Sequence, residues 1–140
     1  MPFRKVATPT MPLAVERWEH IVASHDFDRI DELLADDVVF ESPIVHTPQI
    51  GRAITKAYLI GAVQVLAGPD FRFVGRWFAE QSAVLELEGR IDGLTINGVD
   101  IISWNSEDRI HHFKVMVRPL KAINAVQYGM ARALAADPGS

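Results

Sequence analysis

The chain has 140 residues, enough for one domain that buries roughly two-thirds of its unfolded surface without a covalent staple. It has no cysteine, which excludes disulfides and thiolate metal sites and accords with a reducing, cytoplasmic setting. Fourteen Lys and Arg stand against eighteen Asp and Glu, a net charge of −4 without any basic cluster, and no apolar run reaches membrane-spanning length, so neither nucleic acid nor membrane is an expected partner.

The opening stretch MPFRKVATPTMPL carries three prolines and no continuous apolar core. It reads as an extended arm over residues 1–11, not as a signal peptide. Pro12 suits a first helical turn, and Leu13, Val15, Trp18, Ile21 and Val22 recur near helical spacing, which predicts a helix to about Ser24. Asp26 is a candidate cap for a short second helix with Ile30, Leu33 and Leu34 as its apolar stripe, ended by Asp36 and Asp37. Val38 to Ser42 alternates like a strand and stops at Pro43. After a loop to Ile50, Gly51 opens a third helix through Tyr58, Leu59, Val63 and Leu66, which Gly68-Pro69 ends.

Four strands follow: Phe71 to Phe78, Ala83 to Ile91, Leu94 to Trp104 and Ile110 to Val117. Asp92-Gly93 is a hairpin turn signal, and Asn105 to Asp108 is a polar turn. Leu120 to Ala136 predicts a C-terminal helix, with residues 137–140 as a frayed tail. Helices first and a run of antiparallel strands after them make the fold class α+β, in a single domain over residues 1–140.

One strand carries a residue that packing does not explain. On the two-residue period, Leu94, Ile96, Gly98, Asp100, Ile102 and Trp104 share the more apolar face, which should meet the core. Asp100 sits in the middle of it. A buried carboxylate needs partners or a raised pKa, so Asp100 has either a structural role, paired with Arg118, Lys114 or a histidine, or a functional one. His111 and His112 are adjacent on a strand and point to opposite faces, so they are a poor metal pair. No metal or cofactor motif is present, and none is expected.

The segment LLADDVVFESPIV, then Gly51-Arg52 before a helix, then GVDIISWNSEDRI and VMVRPL resemble, in that order, the nuclear transport factor 2-like superfamily. This group holds SnoaL-like polyketide cyclases, ketosteroid isomerases and limonene epoxide hydrolases. The resemblance runs from about Val15 to Leu120. It implies a conical curved antiparallel sheet wrapped on N-terminal helices, an apolar cavity at the wide end, and a homodimer through the outer sheet face. The fold hosts many functions and does not choose among them.

Ketosteroid isomerases keep a general-base Asp in the triplet that matches Glu41-Ser42-Pro43, and here Ser42 stands in its place. A serine hydroxyl does not abstract a carbon-bound proton near neutral pH without its own activator. A first-helix Tyr of that family matches Trp18, whose indole N–H also donates. A protonated Asp of that family matches Asp100. Limonene epoxide hydrolases use an Arg and two carboxylates; Asp100 with Arg118 offers one such pair, but Glu86 and Glu88 read as outward-facing. The SnoaL-like cyclases use a cavity Asp as base.

Asp100 is therefore the candidate acid or base, and Trp18, Ser42, Tyr58, Phe73, Trp77, Trp104 and Arg118 are candidate pocket residues. Each aromatic alone reads as core; together they suit an apolar cavity. The expected ligand is a small apolar molecule, polyketide-, steroid- or terpenoid-like. An isomerase or cyclase, a non-catalytic carrier or sensor, and a structural dimerisation module all stay open.

Overall fold

A computed structural model describes residues 10–135 of the chain. Pro12 is extended and stands ahead of α1 (Leu13–Ser24), where its missing N–H costs nothing. α1 buries Ala14, Val15, Trp18, Ile21 and Val22, and His25 closes it in the left-handed region. Asp26 caps nothing through its side chain. Arg29 Nε instead donates to its carboxylate at 2.9 Å, and a single 3-10 turn (Phe27–Arg29) leads into α2 (Ile30–Leu33).

Strand β1 (Leu34–Glu41) starts four residues before its predicted beginning, and Leu34 belongs to it, not to the helix. Asp36 and Asp37 are exposed at a register irregularity inside the strand, so two acids that read as a helix end mark a distorted stretch of strand. A two-residue strand, β2 (Gln49–Ile50), precedes α3 (Arg52–Leu66), and four strands follow: β3 (Arg72–Phe78), β4 (Ser82–Ile91), β5 (Leu94–Trp104) and β6 (Ile110–Arg118). α4 (Leu120–Ala135) ends the described chain. The arm over residues 1–9 and the tail over residues 137–140 lie outside the described residues.

The six strands form one curved, open sheet in the order β2-β1-β6-β5-β4-β3. It is mixed and not purely antiparallel, because β1 runs parallel to β6. The β4–β5 hairpin closes on Asp92 and Gly93 at φ 49° and 80°, the positive pair that a type I′ turn demands. Along β5 the face split holds: Ile96, Gly98, Asp100, Ile102 and Trp104 are all buried. Phe113, Leu85, Ile102, Ile21 and Leu33 fill the core between this concave face and the helices.

Gly98 stands where β5 passes close to β6. A Cβ there would press on the Met116 carbonyl oxygen and come within 3.3 Å of Val117 Cγ2. Neither the β6 backbone nor a β-branched side chain gives way cheaply. Gly98→Ala is expected to lose about 1–3 kcal/mol of stability, measured by urea denaturation. A variant as stable as the parent would show that the two strands do not need this approach.

Candidate functional site

Asp100 is 4% exposed, in mid-strand on the concave face. Among the described residues its carboxyl has one hydrogen-bonding partner: Trp18 Nε1–H, from α1, donates to Oδ2 at 3.1 Å. Helical periodicity places Trp18 on the inner face of α1, and strand parity aims Asp100 at it, 82 residues along the chain. Phe113 packs edge-on against the Trp18 ring at 5.1 Å and holds it in place. Burial raises the carboxyl's pKa from its ordinary 3.8 to about 7, and the Trp18 hydrogen bond opposes the rise. At neutral pH the group stands near the midpoint between acid and carboxylate.

Among the described residues, no cation reaches it. Arg118 lies on the outer face, where its Nε donates to Asn97 Oδ1 at 2.9 Å. Lys114 and His112 are also on that side, both against Glu41, at 3.6 and 2.6 Å. They hold the Glu41 carboxyl below its ordinary range, the His112 hydrogen bond being the largest cause. The structural pairs open to Asp100 in the sequence are therefore not formed. Glu86 and Glu88 do face outward, bonded to Asn97 and Arg72 at 2.9 and 3.0 Å.

Two cavities adjoin the concave face. A pocket of about 30 Å³ is lined by Asp100, Trp18, Phe73, Leu87 and Phe113 among others. A larger apolar chamber of about 210 Å³ lies between α3, the loop after β1, β6 and α4. Tyr58 lines this chamber and stacks obliquely on Phe40 at 5.5 Å. Ser42 lines it too, but its Oγ accepts the Val45 and Ile44 N–H groups at 2.8 and 3.2 Å and so ties the loop together. Ala62, Leu66 and Val115 line both cavities and separate them.

The structure thus brings Trp18, Phe73 and Asp100 together, with Ser42 and Tyr58 in the neighbouring chamber. Trp104 is buried in the main core and lines neither cavity. Trp77 and Arg118 are on the convex side. Trp77 is 58% exposed because the β3–β4 register shifts between Phe73 and Gly75, which turns Arg76 inward and Trp77 outward. Arg76 then makes a two-pronged ion pair with Glu19 of α1 at 2.6 and 2.7 Å. An isolated glycine within a strand, Gly75, is the sequence signal for such a bulge. The contribution of α4 was also unread. Val126, Met130 and Leu134 line the chamber at four-residue spacing, a stripe visible in the sequence.

Residues 15–113 match the family model of the SnoaL-like domain. Among solved structures, an uncharacterised bacterial protein with a cystatin-like fold from Silicibacter pomeroyi is 30% identical, with 91% of this chain and 89% of that one covered and a TM-score of 0.83. A steroid delta-isomerase from Pseudomonas aeruginosa is also 30% identical, with 92% and 96% covered and a TM-score of 0.83. The epoxide hydrolase/cyclase-like enzyme SalBIII, of pyran ring formation in the polyether salinomycin, is 18% identical, with 75% and 88% covered and a TM-score of 0.62; it shares the fold. Among curated proteins, none matches the chain.

Proposed function

Because the chain belongs to the SnoaL-like domain family, we propose that it binds a small apolar molecule bearing an acceptor oxygen, with Asp100 as the polar anchor. One observation carries this reading: a buried carboxyl in an apolar pocket, with a single hydrogen-bond donor and no cation among the described residues. A neutral carboxyl has an O–H to donate, and a ligand carbonyl accepts it. Such a hydrogen bond draws charge from the carbonyl and acidifies the adjacent C–H, the first requirement of an isomerase or an aldol-type cyclase. The ionised form is a candidate base for the same proton. The isomerase and cyclase names among the structural relatives support this class.

A carrier reading has its own support. Ser42 occupies the position of the base in ketosteroid isomerases, and its oxygen is committed to the loop backbone. We place the protein in the cytoplasm, in keeping with a chain free of cysteine. We propose a homodimer through the convex sheet face, where Val74, Trp77 and Met116 are exposed.

Asp100→Leu tests the anchor. The variant is expected to bind a cyclic ketone about tenfold or more weakly than the parent, while a hydrocarbon of the same shape binds both alike. Equal ketone binding by parent and variant would sink the reading. Exchange of the ketone's α-hydrogens in heavy water, followed by NMR, separates enzyme from carrier. Exchange faster with the parent than with Asp100→Asn supports catalysis; equal exchange leaves a carrier.

A further inference from the structure

We propose that the ligand's apolar body sits in the chamber under α4, that only its oxygen enters the Asp100 pocket, and that Leu66 is the gate between them, which limits the ligand to a compact ketone of one or two rings. This rests on Asp100 as the anchor. The Asp100 pocket, at about 30 Å³, has room for an oxygen atom but not for a ring. The chamber has the room, at about 210 Å³, and its wall is almost wholly apolar. With Ser42 tied to the loop, Tyr58 and Gln127 are the polar side chains left on that wall. A ligand with one polar end satisfies both spaces.

The separating layer is one side chain thick. Of its three residues, Ala62 has no rotamer to change. Val115 is β-branched in mid-strand and stiff at χ1. Leu66 is the last residue of α3 and has two side-chain torsions, so of the three it is the one able to swing.

The size limit comes from α4. A Cβ at Gly129 would lie 2.9 Å from Val65 Cγ1, so α4 is seated directly on a stiff side chain of α3. The resulting volume lies below the roughly 300–1,000 Å³ of pockets that take drug-sized molecules. A four-ring steroid ketone exceeds this volume and has to protrude from the chamber or displace α4, whereas a two-ring ketone such as 1-tetralone fits within it.

Binding of 1-tetralone and of a steroid enone is measured by calorimetry. The parent is expected to prefer 1-tetralone by about tenfold or more, and Leu66→Ala, which joins the two cavities, to narrow that gap. Ala62→Leu fills the passage and is expected to lose 1-tetralone binding. Ala131→Phe, at an exposed position on the rim, reads the same blockage without touching buried packing. Equal affinity of the parent for both ketones overturns the size limit. Parental 1-tetralone binding by Ala62→Leu and Ala131→Phe overturns the seat. An unchanged preference in Leu66→Ala overturns the gate. All three failures leave the Asp100 anchor standing as long as Asp100→Leu still weakens ketone binding; if it does not, the anchor itself has failed.

Discussion

Replacing Asp100 with Asn is expected to remove a loss of stability of about 4 kcal/mol that the parent suffers as pH rises from about 4 to about 7. In the unfolded chain this carboxyl ionises near its ordinary value. In the folded chain burial holds the proton on to about pH 7. Between those limits the folded state binds the extra proton, so its advantage is complete below pH 4, falls as pH rises, and levels off once both states are ionised. Asn keeps an oxygen for the Trp18 N–H and cannot ionise. The measurement is the difference in unfolding free energy between parent and variant from pH 4 to pH 8. Other groups, Glu41 among them, titrate in both proteins and cancel. A flat difference would mean that Asp100 reaches solvent or a cation in the folded protein.

The second large effect is expected at Phe113. Its side chain is fully buried, edge-on to Trp18 at 5.1 Å and tilted against Phe40 at 5.9 Å. Phe113→Ala removes most of an aromatic side chain from a close-packed core, at a cost of about 3–5 kcal/mol. The new space joins the pocket beside Asp100, because Phe113 already forms part of that wall. Water entering there would relieve the desolvation that raises the carboxyl's pKa. The variant should therefore be both less stable and less steep in its pH dependence between pH 4 and 7. Denaturant titration at pH 5 and pH 8 measures both. A loss below about 1 kcal/mol would show that the core closes over the gap.

The strands were legible because local signals agreed with the long-range structure. Alternation, the Asp92-Gly93 turn and the polar turn after Trp104 each marked an edge of β4, β5 or β6, and parity alone put Asp100 on the concave face. Trp77 shows where parity stops working. It is a candidate pocket aromatic in the sequence, and an unbroken period from Phe73 would aim it inward, but one bulge beside Gly75 reverses every later residue of β3. The same reversal created the Arg76–Glu19 pair, which no local pattern announces. Trp18 and Asp100 were both singled out, but their hydrogen bond joins residues far apart in the chain and needed the packed fold to appear. The parallel pairing of β1 with β6 was invisible for a related reason: it joins strands at opposite ends of the chain, and no local pattern in either announces its partner.

That pairing also sets the order in which the chain can be finished as it is made. β1 is complete at Glu41, while β6, its main neighbour, begins at Ile110. Until then, among the described residues, β1 has only two-residue β2 beside it. At roughly 5–20 residues per second of synthesis, the first long strand spends several seconds with one edge open, and the first helix lacks the sheet that covers it. The final third of the chain is therefore the clamp that closes the first third. A ribosome that pauses before Ile110 holds out an unpaired strand edge, the kind of template on which nascent chains pair with one another.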